Sequence, residues 1–370
     1  MRCSRTSAAV VLAAGYSSRM GFFKPLSRLN GVTVLERVID SLFKTGVPRV
    51  LVVAGYRSDE VARLAECCGA ETVFNPRFDQ GMFTSVQAGV AALPADTEAF
   101  FLLPADVPTV RVSTLRSLSR HASSDTVLHP VFRGRRGHPP LVGASFIPSI
   151  LNHSGDGGLR AVWESFAVSN AEYPVSDEGV LMDMDTQQDY EQVIRRFKMF
   201  FTPSRNERLA LWEIAETPER VRRHCDAVAS VSLAIGIALQ RNGIEINLPI
   251  LRGAALFHDV CRHQEGHVRK GEEYMRSHGF PLLAAIGACH KDLPASAPIE
   301  AAILHLSDKL VKDTKLVSLR DRKEEMRGRF GTDRNAWASI RRRYATARKT
   351  ARMVERETGR PLSDILETLI

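Results

Sequence analysis

The sequence predicts a doubly wound α/β domain with a mostly parallel sheet, followed by an all-α domain. Its 370 residues suggest two domains, at about 150 residues for each. Short apolar runs alternate with helical patterns over the first two hundred residues, and strand signals disappear after about Arg196. The predicted parts are an α/β domain at 1–197, a linker at 198–208, an all-α domain at 209–330 and a basic helical tail at 331–370.

Strands and helices alternate regularly in the first domain. The predicted strands are 8–13, 50–54 and 99–103, and the predicted helices are 34–42, 59–68, 84–92 and 112–120. This order is typical of a parallel sheet with helices on both faces. Such sheets bind ligands at the carboxyl ends of their strands, so the loops that follow the strands are the first places to look for chemistry.

The second half reads as helices only. Thr217 is a good N-cap and Pro218 a good first helical residue. The predicted helices are 218–241, 248–262, 267–278, 281–291, 298–319 and 334–358.

Composition excludes several classes of protein. A hydrophobic fraction of 44% and a charged fraction of 25% are those of a globular chain, so disorder and fibrous repeats are excluded. The six cysteines lack metal-ligand spacing, which predicts a reducing, cytoplasmic setting. No apolar run reaches the roughly 18 residues that a membrane span needs. The apolar N-terminal segment could imitate a signal peptide, but we predict a buried strand there.

The net charge of +8 is concentrated near the C-terminus, where residues 315–370 hold fifteen Lys or Arg against eight Asp or Glu. We interpret this as the solvated face of a terminal helix. The alternative is a contact with an anion or a nucleic acid. Because the rest of the chain is nearly neutral, we do not expect a nucleic acid as the main partner.

A polar loop follows the first predicted strand and contains Gly15, Arg19 and Lys24. Gly/Ser loops after strands present backbone N–H groups to phosphate oxygens, and the two cations suit a triphosphate. No Gly-Lys-Ser/Thr follows at the Walker spacing, and no GxGxxG is present. Asp106 ends the apolar run FFLLPAD, where a carboxylate has no packing role.

The segment LAAGYSSRMGFFK resembles the signature of the MobA-like nucleotidyltransferases, which include molybdenum cofactor cytidylyltransferases and guanylyltransferases. Further segments agree in order: NP at 75–76, GMFTS at 81–85, LPADVP at 103–108, GHP at 137–139, GDGG at 155–158 and MDMDT at 182–186. The resemblance covers roughly residues 7–196 and implies a Rossmann-like nucleotidyltransferase fold.

The resemblance also implies residue roles. The nucleotide-binding set is Leu12, Ala13, Ala14, Gly15, Ser17, Arg19, Lys24, Asn75, Ser85 and Asp106; the acceptor-binding set is Gly137, His138 and Asp156. Nucleotidyl transfer joins two anions, so Mg²⁺ is the expected cofactor. Asp106 and Asp185 are its expected ligands, with Asp183 competing for the second place. Arg19, Lys24 and Asp106 are the expected catalytic residues.

Ala14 stands where guanylyltransferase relatives commonly carry Gly, which favours CTP over GTP. The expected co-substrate is a phosphorylated small molecule resembling molybdopterin, and a molybdoenzyme under maturation is an expected partner. A sugar phosphate is the alternative acceptor.

The second domain contains six candidate metal ligands, of which His258, Asp259 and Asp308 adjoin apolar runs: His224, His258, Asp259, His267, His290 and Asp308. Such residues need partners when buried. Imidazole and carboxylate together suit Zn, Mn, Fe, Ni or Co.

The order H…HD…D resembles the HD phosphohydrolase superfamily. The resemblance implies that His224, His258, Asp259 and Asp308 bind metal and that His267 and His290 add a second ion. His258 and Asp259 are then catalytic. Arg262 stands where many relatives have Lys, so it can bind a phosphate but would not act as an acid near neutral pH.

We therefore expect a bifunctional enzyme that transfers a nucleotidyl group and hydrolyses a phosphoester. The rival interpretation is a regulatory protein, with an HD domain that senses a nucleotide and a basic tail that binds nucleic acid.

Overall fold

The computed structural model describes residues 6–165 and 170–367, so predictions for residues 1–5, 166–169 and 368–370 lie outside the described residues. The chain divides into two compact units, Met1–Phe200 and Phe201–Ile370. Their boundary lies inside the predicted linker.

The first unit is built on an eight-stranded sheet. Its strands and a separate small hairpin (β2–β3) are β1 (Thr6–Leu12), β2 (Arg28–Leu29), β3 (Val32–Thr33), β4 (Val50–Ala54), β5 (Glu71–Phe74), β6 (Ala99–Pro104), β7 (Val127–Phe132), β8 (Arg135–Arg136), β9 (Leu141–Gly143) and β10 (Asn170–Pro174). The order is β10-β7-β9-β6-β1-β4-β5, with β8 paired to β7. The neighbours of β1, the β4–β5 pair and the β10–β7 pair are parallel. β8 and β9 pair antiparallel to their neighbours. The mostly parallel sheet is confirmed.

The helices of this unit follow the apolar periodicity of the sequence. They are α1 (Val34–Thr45), α2 (Ser58–Cys67), α3 (Met82–Ala91), α4 (Val112–Ser119), α5 (Ile147–Asn152), α6 (Gly158–Ser165) and α7 (Gln187–Lys198). A capping box of Thr33 and Glu36 begins α1, and Gly46 ends it in the left-handed conformation. The four predicted helices are confirmed, with ends that differ by at most three residues.

Close packing of α3 on the sheet brings its N-terminus to the ends of the central strands. A Cβ at Gly89 would lie 2.4 Å from a side-chain atom of Val10 and 2.7 Å from one of Val53. Only glycine allows this approach. Strands β1, β4 and β6 are almost entirely buried, so their carboxyl ends form a rigid edge.

The second unit is helical apart from one short hairpin. Its elements are α8 (Arg205–Ile214), α9 (Glu219–Arg241), α10 (Leu248–Phe257), α11 (His267–Ser277), α12 (Pro281–Ala288), α13 (Ile299–Leu310), β11 (Val311–Lys312), β12 (Lys315–Leu316), α14 (Leu319–Phe330), α15 (Arg334–Thr358) and α16 (Leu362–Leu366). Residues 205–208 of the predicted linker lie in α8, which begins there with a capping box of Ser204 and Glu207.

Three predicted helix ends are also wrong. The helix predicted at 248–262 ends at Phe257, so His258 and Asp259 lie in the turn that follows it. The helix predicted at 281–291 ends at Ala288. The helix predicted at 298–319 ends at Leu310, where the hairpin begins and leads into α14, which the apolar pattern did not reveal.

The basic C-terminal segment is part of the helical core and not a separate tail. Ala347 and Val354 of α15 are fully buried in the same apolar cluster as the residues of α9, α10 and α13. Arg343 forms a two-pronged ion pair with Asp292. The solvated face that the sequence predicts is only one side of α15.

Within residues 6–165 and 170–367, none of the helices combines the length and hydropathy needed to cross a membrane.

Candidate functional site

The loop after β1 closes over a small cavity at the carboxyl edge of the sheet. The cavity has a volume of about 230 Å³. Its lining includes nine of the predicted residues: Leu12, Ala13, Ala14, Gly15, Ser17, Lys24, Ser85, Asp106 and Asp185. We call it the loop cavity.

Two backbone amides of this loop are available to a ligand. The N–H groups of Ala14 and Gly15 donate no hydrogen bond to any described residue. A Cβ at Gly15 would meet no atom within 4 Å, so the space beside this backbone is open. Free amides beside open space can bind an anionic oxygen. Ser17 contributes differently, because its hydroxyl accepts a hydrogen bond from the backbone N–H of Lys24 and so holds the loop closed.

Lys24 draws two carboxylates together. Its Nζ lies 2.8 Å from Oδ2 of Asp106 and 2.8 Å from Oδ1 of Asp185. Burial alone would lower the pKa of Lys24, but its hydrogen bonds to the two aspartates raise the pKa overall. Lys24 in turn lowers the pKa of Asp185. Lys24 and Asp185 are therefore both charged at neutral pH.

The second carboxylate oxygen of Asp106, Oδ1, is buried and has no hydrogen-bond partner. An unsatisfied carboxylate oxygen in a buried position is destabilising, and a hard cation is the group that would satisfy it. The residues present therefore fit Mg²⁺, with Asp106 and Asp185 as its protein ligands.

Two residues of the nucleotide-binding set do not line the loop cavity. Arg19 points outward, with 74% of its side chain exposed, and reaches only Oδ2 of Asp185 at 3.4 Å. Asn75 is buried, and its amide donates to Thr84 and Ser85 at 2.9 Å each. Asn75 therefore positions the start of α3. A sequence motif cannot distinguish this structural role from contact with a ligand.

A second, larger cavity of about 870 Å³ adjoins the first. Leu12, Met82, Pro104, Asp106 and Asp185 line both cavities. Its remaining lining includes Gly137, His138, His129, Arg136, Arg160 and Trp163. We call it the acceptor cavity. The two aspartates thus lie at the border between the two spaces.

Of the three residues predicted to bind the acceptor, Gly137 and His138 line the acceptor cavity and Asp156 lines neither cavity. Asp156 is exposed and bonds to Ser154 instead of lining either cavity. Gly137 also has a packing role, because a Cβ there would lie 2.4 Å from the carbonyl oxygen of Val180. Asp183 lines the acceptor cavity only, whereas Asp185 lines both.

Residues 9–171 match the MobA-like NTP transferase family. These residues form a MobA-like NTP transferase domain. The molybdenum cofactor cytidylyltransferase of Escherichia coli K12 is 29% identical over 194 residues, which are 51% of this chain and 95% of that protein. A bifunctional IPC transferase and DIPP synthase of Rubrobacter xylanophilus is 40% identical over 92 residues, but the chain spans only 21% of its length.

Solved structures resemble the same half of the chain. A nucleotidyl transferase from Methanothermobacter thermautotroptrophicus has 28% identity and a TM-score of 0.48, and the match covers 52% of this chain and 98% of that one. A protein from Mycobacterium tuberculosis in complex with manganese has 22% identity and a TM-score of 0.44, with 51% and 98% covered.

Outside the transferase domain, the six predicted metal ligands of the helical unit converge. They form two groups that share Asp259: the first is His224, His258, Asp259 and Asp308, and the second is Asp259, His267 and His290. Oδ2 of Asp259 lies 3.5 Å from Nε2 of His258 and 3.9 Å from Nε2 of His224. Its Oδ1 lies 3.6 Å from Nε2 of His267 and 3.5 Å from Nε2 of His290. One carboxylate thus faces both groups.

Three of the four histidines of this cluster present Nε2 inward, because a backbone carbonyl engages their other ring nitrogen. Nδ1 of His224 lies 2.9 Å from the carbonyl oxygen of Asp313. The corresponding distances are 2.8 Å from Nδ1 of His258 to the carbonyl oxygen of Ala255, and 2.7 Å from Nδ1 of His290 to that of Gly287. A carbonyl accepts a hydrogen bond from Nδ1–H, and this tautomer leaves the Nε2 lone pair free for a metal.

Two buried atoms of the cluster, Nε2 of His258 and Oδ1 of Asp259, have no hydrogen-bond partner. This observation fits two divalent ions held by the six residues. Burial also lowers the pKa of His290 to about 4, so that imidazole is neutral at pH 7. Burial opposes protonation of His258 as well, but Asp259 and Asp308 raise its pKa. A proton and a metal ion therefore compete for Nε2 of His258.

Sequence reasoning missed Lys309. This lysine is buried, donates to the carbonyl oxygen of His290 at 2.6 Å and contacts Oδ2 of Asp308 at 3.1 Å. Burial alone would raise the pKa of Asp308, but Lys309 and His224 hold it well below its usual range. The position of Lys309 directly after the predicted ligand Asp308 was the sequence signal that could have revealed it. Arg262 donates to Asp259 and lines a cavity of about 630 Å³ above the cluster.

Proposed function

We propose that the first unit transfers a nucleotidyl group from an NTP, with CTP favoured over GTP, to a phosphorylated acceptor and releases pyrophosphate. The position of Asp106 and Asp185 on the border of the two cavities carries this proposal. A triphosphate in the loop cavity and an acceptor phosphate in the acceptor cavity would meet at these carboxylates. The relative from E. coli supports a cytidylyl group.

Each side chain then has a defined role. The amides of Ala14 and Gly15 bind phosphate oxygens, and Lys24 neutralises charge on the triphosphate. Asp106 and Asp185 hold Mg²⁺, which supplies Lewis-acid stabilisation of the phosphoryl oxygens when bound. MobA-like transferases use a divalent ion such as Mg²⁺ or Mn²⁺. Arg19, which is exposed in the free protein, is expected to turn towards the departing pyrophosphate.

The acceptor cavity suits a flat heterocycle that carries a phosphate. Trp163 and His129 offer aromatic surface, and Arg136 and Arg160 carry positive charge that Glu172 and Glu164 partly neutralise in exposed ion pairs. This lining favours molybdopterin over a sugar phosphate as the acceptor, with a molybdoenzyme as the recipient of the product.

The test is pyrophosphate release from each of the four NTPs with molybdopterin or a sugar phosphate. We expect CTP with molybdopterin to be fastest, and Asp185→Asn to lower the rate far more than Asp183→Asn. Pyrophosphate release with a sugar phosphate but not with molybdopterin would overturn the acceptor assignment. Equal losses of rate in Asp185→Asn and Asp183→Asn would overturn the assignment of the metal ligands.

We further propose that the helical unit is a metal-dependent phosphohydrolase of the HD type. The observation behind it is the bridging position of Asp259 between two ligand groups. The six ligands would hold two divalent transition-metal ions, which when bound supply a nucleophilic hydroxide at neutral pH. Backbone carbonyl oxygens orient His224, His258 and His290, and Arg262 binds a phosphate oxygen. With Mn²⁺ present, the full chain is expected to release phosphate from p-nitrophenyl phosphate or a nucleotide. Absence of release with Mn, Fe, Ni, Co and Zn would overturn this proposal.

A further inference from the structure

The cavity above the metal-ligand cluster is much more basic than a single phosphate requires. Six cationic side chains line it apart from Arg262 and Lys309, which touch the cluster: Arg220, Lys291, Lys312, Arg322, Arg329 and Arg343. We call these six the basic wall. They come from five different parts of the chain, including α9, α14 and α15, so the fold and not one charged segment gathers them.

Acidic side chains neutralise only part of the basic wall. Glu325 accepts from both Lys312 at 2.9 Å and Arg322 at 2.8 Å, so one carboxylate faces two cations. Asp292 pairs with Arg343. Arg220 and Arg329 form no ion pair with any residue that the structure describes. Cations gathered around one cavity repel each other, and an anionic ligand relieves that repulsion.

The cluster below the wall already balances one phosphate. With two divalent ions bound, the carboxylates of Asp259 and Asp308, a hydroxide, and the cations Arg262 and Lys309 would leave the cluster with an excess of about three positive charges, whereas a phosphate monoester carries about two negative charges. The unpaired cations of the wall therefore exceed what a monoester needs. This step rests on the proposed hydrolase function.

The cavity has room for a longer ligand. Its volume of about 630 Å³ lies within the usual range for sites that hold a whole small molecule. Phe330, Tyr344, Ile340 and Met326 add apolar surface beside the cations. Phe330 is 39% exposed, and the guanidinium of Arg329 lies 5.6 Å from its ring centroid. This pair therefore offers a planar group and a phosphate adjacent contact surfaces.

We propose that the basic wall binds at least one further phosphate group of the ligand, so that the helical unit takes a nucleoside di- or triphosphate in preference to a monophosphate. Arg220 and Arg329 are the specificity-determining residues, because no carboxylate of the described chain pairs with them and because a guanidinium, unlike the ammonium of the likewise unpaired Lys291, binds a phosphate through two N–H groups. They hold the non-reacting phosphates, while the cluster faces the phosphoester that is cleaved.

The test is calorimetric binding of inorganic tripolyphosphate and of orthophosphate to the manganese-loaded full chain. The variants are Arg220→Gln, Arg329→Gln and the pair together. Arg320→Gln is the matched control, since it removes the same charge from α14 but does not line the cavity. The loop cavity of the first unit is identical in all of these chains, so any anion that it binds contributes equally to each measurement.

We expect each single variant to weaken tripolyphosphate binding about fivefold, as charge-assisted contacts at partly exposed sites do, and the double variant to weaken it more. Orthophosphate binding and the control should stay at the wild-type value. Equal effects on both anions, or no effect on either, would overturn the proposal. Selective weakening in a chain that hydrolyses no phosphoester would support the basic wall and count against the hydrolase.

Discussion

At the scale of single residues, Lys24 and Asp259 have comparable roles in the two units. Each is a charged side chain that lies close to several groups able to pair with it, carboxylates for Lys24 and imidazoles for Asp259. Lys24 draws two carboxylates that come from distant parts of the sequence to within 2.8 Å of one nitrogen. Asp259 faces four imidazoles with its two oxygens. In both units a buried carboxylate oxygen is left without a hydrogen-bond partner, and this is the feature that a cation would satisfy.

Metal content tests the bridging role of Asp259. After loading with Mn²⁺ and removal of free metal, the wild-type chain is expected to keep about two ions in the helical unit. His267→Ala should keep about one, and Asp259→Asn close to none, because this carboxylate serves both groups. His263→Ala, an exposed histidine outside the cluster, is the control. Two ions retained by His267→Ala would contradict the two-group arrangement.

Sequence motifs predicted the residues that line the cavities better than those that support them. Asp106 could be predicted because a carboxylate at the end of an apolar strand has no packing role, whereas Lys24 was predicted from the polar loop after the first strand and Asp185 from the resemblance of its motif. Asn75 and Asp156 carry the same motif signal, yet the first positions α3 and the second is exposed. A motif records that a residue type recurs, but not whether its side chain contacts ligand or protein.

At the scale of elements, α13 and α15 are joined through a histidine. His305 is fully buried, and its Nε2 lies 3.2 Å from the carbonyl oxygen of Arg343. Burial lowers its pKa to about 4, from the usual 6.5. The folded state therefore disfavours the protonated ring.

Acid should destabilise the helical unit through His305. Because the folded pKa is lower than the unfolded one, the stabilisation is complete above about pH 6.5 and is lost as the pH falls towards 4, by up to about 3 kcal/mol. His305→Gln, which does not titrate, should show a flatter dependence of the unfolding free energy on pH in denaturant titrations. If the unfolding free energy of His305→Gln depended on pH as steeply as that of the wild type, His305 would be excluded as a source of the acid sensitivity.

Core packing of α15 gives a second prediction for an element. Val354 is fully buried among the helices of the second unit, so Val354→Ala should lower the unfolding free energy by about 2 kcal/mol. Lys349→Ala, on the exposed face of the same helix, should change it by less than about 0.5 kcal/mol. Similar small effects from both substitutions would indicate a solvated tail after all.

The long elements were predictable and the short ones were not. Helices such as α9 and α15 carry an apolar period over twenty or more residues. The hairpin of β11 and β12 has two residues in each strand, too few to show an alternation. The turn that holds His258 and Asp259 continues an apolar helix without a Gly or Pro, so the sequence offers no stop signal there.

At the scale of the whole molecule, the chain carries two separate sets of chemical groups. The first unit pairs a strand-edge loop with two carboxylates, and the second gathers imidazoles around a shared aspartate. The division into two units followed from the loss of strand signals near Arg196, and the structure divides the chain after Phe200. The extent of the C-terminal unit could not be predicted in the same way. The positive charge on one face of α15 favoured a separate basic tail, although the other face of this helix is buried.

We expect Asp106 to serve nucleotidyl transfer only and His258 to serve phosphoester hydrolysis only. The most direct measurement follows both activities in the full-length chain, as pyrophosphate release from CTP with molybdopterin and phosphate release from p-nitrophenyl phosphate with Mn²⁺. Asp106→Asn is expected to lower the first by at least about a hundredfold, since loss of a metal ligand costs several kcal/mol in the transition state, and to leave the second unchanged. His258→Ala should do the reverse. Loss of both activities in either folded variant would contradict the account.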